Sequence, residues 1–269
     1  MTERTIPDFD LDQIARSGQC FRFRPLGERH YALVAGGRYL EVSQQGQTVR
    51  FDCPEDEFEA VWRPYFDLDA DYGRYKSAVA KRDKYLQSAV AAAGGLRILR
   101  QELWETIACF IISQQNNIAR ITKCVENLCL LFGETCYNKS KQVYNAFPSA
   151  ERLAACTADE LASIRLGYRA KYIVAAARQV ASGEVDLDAV RRMDYAHAKA
   201  ELMRLTGVGV KVAECICLFA LHHIDAFPID THIRQMLDAH YPKGFPLRRY
   251  KGFAGVMQQY AFYYELVKD

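Results

Sequence analysis

Between residues 205 and 230 the sequence places an amine and a carboxylate close to a turn suited to phosphate. Lys211 follows the two glycines of "LTGVGVKVAEC" (205–215), and Asp230 ends the Pro-containing stretch of "AFPIDTHIRQML" (226–237). A two-glycine turn that enters a helix exposes several backbone N–H groups with no intrahelical partner. With the positive end of the helix dipole, these groups suit a phosphate, which makes Gly207 and Gly209 candidate phosphate-binding positions. The preceding "DYAHAKAELMRL" is itself helical in pattern, so the whole reads helix, tight hairpin, helix. A dinucleotide site would need a strand before the glycines and the spacing GxGxxG, and neither is present. A hairpin of this kind can hold a DNA backbone without reading bases. The bare pattern also fits a plain helix turn.

Lys211 falls in the first turn of the second helix, beside the dipole's positive end, where the neutral amine that a Schiff-base nucleophile needs is favoured. Read alone, it is also a solvated lysine touching phosphate. Cys215 follows at i+4, on the same helix face. Asp230 is placed to cap "THIRQML", the usual job of such a residue. A carboxylate there could instead flank a reacting sugar, as base or as partner to an oxocarbenium-like centre. Amine, carboxylate and DNA-binding hairpin together are the minimum for cleaving an N-glycosidic bond.

The elements that would position these groups divide by periodicity. "QCFRFRP", "HYALVAGGRYLEVSQQG" and "QTVRFDC" read as strands, with hairpin turns at "AGGR" (35–38) and "QQGQ" (44–47). Beyond "AAAGG" the chain is helical in pattern. "LWETIACFIISQQ" puts Trp104, Ile107, Ala108, Ile111 and Ile112 on one face, and a second helix runs from Ile118 to Phe132. "TADELASI" opens on a capping box, Thr157 with Glu160, and "RAKYIVAAARQVASG" ends at Gly183. The expected fold is α+β: an N-terminal antiparallel β-sheet domain over residues 1–95, then a mostly α-helical helix–hairpin–helix domain over 96–269. The last helix is free to pack back on the first domain.

Bulk properties exclude several classes. Half of the 269 residues are hydrophobic and a quarter charged, the composition of a globular protein. The 35 basic and 33 acidic residues nearly cancel, so net charge says nothing of a nucleic-acid partner. No apolar run is long enough to span a bilayer, and "MTERTIPDFD" lacks the apolar core of a signal peptide. A cytoplasmic location without membrane contact is expected. Nine cysteines are spaced irregularly, with no CxxC. Most lie in apolar stretches, which argues for buried thiols rather than zinc or an iron–sulfur cluster.

The segment "LTGVGVKVAECICLFALHHIDAFPIDTHI" resembles the mark of the helix–hairpin–helix superfamily of base-excision DNA glycosylases. "SGQCFRF" (17–23), "GLRILRQELWETIACFIISQQNNIARI" (95–121), "LGYRAKYI" (166–173) and "MQQYAFYY" (257–264) resemble segments of its 8-oxoguanine DNA glycosylase/AP lyase branch, the last in its bacterial form. The resemblance implies that Lys211 is the nucleophile and Schiff-base former, assisted by Asp230. It implies a base pocket in which Cys215 and Phe262 stack on opposite faces. Gln258 would meet the Watson–Crick edge, and the Gly18 carbonyl would accept the N7 hydrogen that oxidised guanine has and guanine lacks. That single acceptor discriminates economically, because guanine leaves it facing a lone pair. Tyr168 would wedge into the stack, with Gln115, Arg120 and Arg169 at the orphaned base and His232 at a phosphate. The carbonyls of Met203, Leu205 and Val208 would hold a monovalent cation (sodium or potassium), and no other cofactor is implied. The implied partner is double-stranded DNA containing oxidised guanine, bound by a monomer.

Three departures stand out. Gln115 replaces the asparagine of eukaryotic members, which relaxes the expected preference for cytosine opposite the lesion. Thr206 replaces the usual hairpin proline. The four-cysteine cluster of the endonuclease III and adenine-glycosylase branches is missing. Two other readings stay open here: a glycosylase for alkylated purines, whose monofunctional relatives lack the lysine, and a non-enzymatic hairpin protein that binds DNA.

Overall fold

The computed structural model describes residues 1–268. Five strands form one antiparallel sheet in the order β1-β5-β4-β3-β2: β1 (Thr2–Thr5), β2 (Phe23–Gly27), β3 (His30–Ala35), β4 (Arg38–Gln45) and β5 (Thr48–Phe51). Ala35 pairs with Arg38, leaving Gly36 and Gly37 alone in the loop, at φ of 54° and 73°. A two-residue hairpin of this twist needs positive φ at both positions, which explains the glycine pair. Alternate residues of the sheet, Leu33, Leu40, Val42, Val49 and Phe51, bury one face against Phe58, Trp62 and Phe66 and the helix Leu11–Arg16.

Helices then dominate, as the periodicity predicts, but the part expected to be helical also holds a two-stranded antiparallel sheet, Thr135–Tyr137 with Val143–Asn145, that the sequence reading did not anticipate. Leu103–Ile112 is buried on every side except at Glu105, so it is a central helix rather than an amphipathic one. Ile118–Phe132 buries only Ile121, Cys124, Val125, Leu128 and Cys129. The capping box forms, with Thr157 N–H donating to Glu160 Oε2 at 2.6 Å and Glu160 N–H to Thr157 Oγ1 at 3.3 Å. The helical stretch after it is only Ala162–Ile164, because Arg165 and Gly167 turn left-handed, at φ of 62° and 61°. That break sets up the next helix, Arg169–Ala181, with Tyr168 at its head.

The hairpin consists of Tyr195–Leu202, a turn, and Val210–Phe219. Gly207 sits at φ 86°, and a Cβ there would lie 2.7 Å from Tyr172 Cβ, so backbone conformation and packing both demand glycine. The C-terminal helix Ala254–Val267 lies along Lys84–Ala93. One core joins the helices with Phe21 and with residues from Tyr72 onward, while the sheet core closes over residues up to Phe66, with Leu99. The expected boundary at residue 95 falls between two helices of the larger core. All nine cysteines are free and eight are buried. Among the described residues, no helix is long and apolar enough to cross a membrane, and no cluster of His, Cys, Asp or Glu is arranged for a metal.

Candidate active site

Lys211 is the second residue of Val210–Phe219, a helix whose N-cap is Gly209 in extended conformation with no side-chain cap. Its first amides are therefore left without intrahelical partners, facing the solvent where Gly209 and Val210 are exposed. The Lys211 side chain turns inward, and its Nζ lies 5.3 Å from the centre of the Phe110 ring. Cys215, one turn on, is buried; burial pushes its thiol pKa up and Lys211 works against that. Cys215 is thus a neutral, apolar wall at physiological pH.

Asp230 caps Thr231–His240, with Oδ1 accepting the Ile233 N–H at 2.9 Å. The cap and the lysine are tied through Glu214, which lies between Lys211 and the helix's apolar end. Its carboxylate accepts from Tyr195 Oη at 2.6 Å, Lys199 Nζ at 2.5 Å and the Phe227 N–H at 3.0 Å. One buried carboxylate therefore fastens both hairpin helices to the strand of chain that ends in Asp230. Sequence reasoning missed it, because Glu214 reads as a polar residue between two buried ones.

Gly18, Phe110, Lys211, Cys215, Phe219, Pro228, Asp230, Gln258, Gln259 and Phe262 line one cavity. All six residues expected in the catalytic pair and base pocket are among them, brought together from three distant parts of the chain. The cavity is small, about 40 Å³. Phe262 closes it against Gly18: a Cβ on Gly18 would lie 3.2 Å from Phe262 Cε1. The register of the last helix is set by Gly255, whose N–H donates to the Ile224 carbonyl at 2.7 Å and whose α-carbon leaves no room for a side chain. Phe110 and Phe219 also escaped the sequence reading, since apolar residues on buried helices carry no signal that separates a pocket wall from core; so did Pro228, in the loop before Thr231, and Gln259.

The remaining expected positions lie outside the cavity. Tyr168 is exposed, with the Arg169 guanidinium 4.6 Å from its ring centre. Arg120 is exposed and donates to the Arg165 carbonyl at 3.3 Å. Gln115 is exposed and left-handed at φ 46°, a strained setting for glutamine. Arg169 differs from expectation: it is buried, and its guanidinium donates to the carbonyls of Gln114, Gln115 and Leu166. In this conformation it shapes the 114–115 loop. His232 is exposed, its ring 6.0 Å from that of Phe262. Leu205 O accepts the Val208 N–H at 3.0 Å, which leaves it one lone pair; Met203 and Val208 flank it on the same turn. The Thr206 N–H, which a proline would lack, donates to Gln179 Oε1 at 2.8 Å and so ties the hairpin to Arg169–Ala181.

Residues 2–107 match the family model for the 8-oxoguanine DNA glycosylase N-terminal domain, and residues 108–243 match that for HhH-GPD superfamily base excision DNA repair proteins. The chain belongs to this superfamily, in its 8-oxoguanine glycosylase branch. It is 35% identical to an N-glycosylase/DNA lyase of Saccharomyces cerevisiae, over 86% of this chain and 68% of that one. The fold superposes on MBOgg1, solved in complex with a low-affinity DNA ligand, with a TM-score of 0.92 at 37% identity, covering 99% of this chain and 96% of that one. It also superposes on the Clostridium acetobutylicum 8-oxoguanine glycosylase/lyase in complex with double-stranded DNA containing cytosine opposite 8-oxoguanine. There the TM-score is 0.89 at 33% identity, over 96% and 91% of the two chains. Sheet and helical part therefore belong to one shared glycosylase architecture.

Proposed function

We infer that the protein is a bifunctional DNA glycosylase and abasic-site lyase that removes 8-oxoguanine from duplex DNA. The observation that carries this reading is the single cavity lined by Lys211, Asp230, Gly18, Cys215, Gln258 and Phe262. Lys211 Nζ attacks the anomeric carbon of the sugar, and the N-glycosidic bond breaks with its electron pair leaving on the base. Positive charge develops on the sugar ring beside Asp230, which stabilises it. The sugar ring then opens at the bond between the anomeric carbon and the ring oxygen, which takes up a proton given up by the amine, and leaves an imine on Lys211. The imine acidifies the neighbouring sugar proton, and loss of that proton expels the 3′ phosphate. The base reaches the cavity by leaving the stack. Phe262 withdraws from Gly18 to admit it and then packs on one face, with Cys215 on the other. Gln258 faces its Watson–Crick edge and the Gly18 carbonyl accepts from N7–H.

Outside the cavity, Tyr168 fills the space the base vacated, and Arg120 and Gln115 contact its former partner. Arg169 acts there through the 114–115 loop whose carbonyls it holds. Gly207 and Gly209 offer amides, and His232 a side chain, to phosphates. The neutral carbonyls of Met203, Leu205 and Val208 suit a monovalent cation that bridges hairpin and phosphate. The enzyme works as a monomer.

Borohydride trapping tests the chemistry. The wild type is expected to trap covalently on an 8-oxoguanine duplex, and Lys211→Gln to bind the same duplex without trapping. Trapping by Lys211→Gln, or none by the wild type on 8-oxoguanine, overturns the mechanism. Preferential trapping on an alkylated purine would favour the other glycosylase reading.

A further inference from the structure

Gln259 follows Gln258 and is 3% exposed, yet it also lines the cavity. The two side chains form a relay: Gln259 Nε2 donates to Gln258 Oε1 at 3.1 Å, and Gln258 Nε2 donates to the Pro228 carbonyl at 3.0 Å. The polarity of this relay has one solution. A proline carbonyl can only accept, so Gln258 turns its amino group to Pro228 and its oxygen to Gln259. Gln259 must then turn its amino group to Gln258, which leaves its own oxygen at the free end. That oxygen is buried and has no hydrogen-bond partner among the described residues. A buried amide oxygen without a donor is costly to keep, and it is rare in folded proteins unless something else satisfies it.

We propose that Gln259 is a specificity-determining residue whose Oε1 accepts a hydrogen bond from the exocyclic 2-amino group of the extruded purine. The proposal rests on the reading that the cavity receives oxidised guanine. A guanine-type edge carries two adjacent donors, N1–H and the 2-amino group, and the relay offers two adjacent acceptors, the second lone pair of Gln258 Oε1 and the Gln259 oxygen. A hypoxanthine edge has N1–H and no 2-amino group, so it leaves the Gln259 oxygen as unpaired in the complex as it is in the free protein. The Gly18 carbonyl would read oxidation; Gln259 would read that the oxidised base is a guanine.

Single-turnover excision of 8-oxoguanine and 8-oxohypoxanthine, each opposite cytosine, tests this with wild type, Gln259→Leu and Gln259→Glu. The two base pairs differ in strength, but that difference is common to all the enzymes and cancels when the rate ratios are compared. The expected result is that Gln259→Leu narrows the 8-oxoguanine preference by about 10-fold or more. Gln259→Glu, which keeps an acceptor but disturbs the relay, slows both substrates and retains most of the preference. An equal loss on both substrates in Gln259→Leu would mark a merely structural residue and overturn the proposal, as would no change on either. A collapsed preference in Gln259→Glu would overturn it too. If Gln259→Leu lacks a cooperative melting transition, Gln259→Met carries the same comparison. Absence of wild-type excision of 8-oxoguanine would instead sink the functional reading itself.

Discussion

Gly18 shows how much one position can carry when both its conformation and its empty side are used. It sits at φ 72°, and the nearest atoms to a Cβ there would be Phe262 Cε1 at 3.2 Å and Ile118 Cδ1 at 3.4 Å. Gly18→Ala adds left-handed strain of roughly 1 kcal/mol and presses on the ring that has to move. The expected outcome is an excision rate on 8-oxoguanine lower by about 10-fold, with binding to undamaged duplex unchanged, checked by single-turnover kinetics and duplex titration. Cys215 belongs at the same scale. Its burial raises the thiol pKa, so the sulfur meets a base as an apolar surface and does not compete with Lys211 as nucleophile.

At the scale of elements, the hairpin is a rigid unit because its two helices share the Glu214 carboxylate with Tyr195, Lys199 and Phe227. Hydrogen bonds to a buried charge contribute about 1.5–3 kcal/mol each, and part of that is lost where Lys199 reaches solvent. Glu214→Ala is expected to destabilise the protein by about 3 kcal/mol and lower the melting midpoint by roughly 6–12 °C. Below that midpoint, kcat should fall more than KM rises, because Asp230 loses its fixed position relative to Lys211. Thermal melting and steady-state kinetics check the two parts. The helix Ile118–Phe132 was legible from its apolar spacing, down to both ends. The short run after Thr157 was not: a correct capping box was followed by one turn, because the left-handed Arg165 and Gly167 end it and leave Tyr168 exposed.

At the scale of the molecule, the sheet-bearing part meets the end of the Lys211 helix through Asp67. Its Oδ1 lies 2.8 Å from Arg100 Nη2 and 3.2 Å from His222 Nε2, and its Oδ2 accepts from Tyr72 Oη at 3.0 Å. Burial alone would raise the Asp67 pKa, but His222 and then Arg100 outweigh it and hold the carboxyl down at about 2. A lowered carboxyl pKa contributes stability that is complete above the unfolded value near 4 and is lost as pH falls towards 2. Denaturant melts between pH 5 and 2 are expected to show a loss of about 2 kcal/mol from this group. Asp67→Asn should be less stable at pH 6 and show a flatter pH dependence; an unchanged slope would remove Asp67 from that role. Neither Asp67 nor His222 stood out in the sequence, since residues 155 positions apart carry no mutual pattern.

What the sequence determined by itself was local: strand alternation, helix periodicity, the glycine hairpin, and the amine and carboxylate on either side of it. Those follow from backbone conformation and spacing along a single element, which neighbours in sequence encode. Only tertiary structure decided that Gly18 and Phe262 close one cavity over Lys211, that Arg169 is spent on the 114–115 carbonyls, and that Gln259 keeps a buried oxygen without a donor. Each depends on which distant atoms exclude water from a polar group, and burial of that kind belongs to the packed chain rather than to any segment of it.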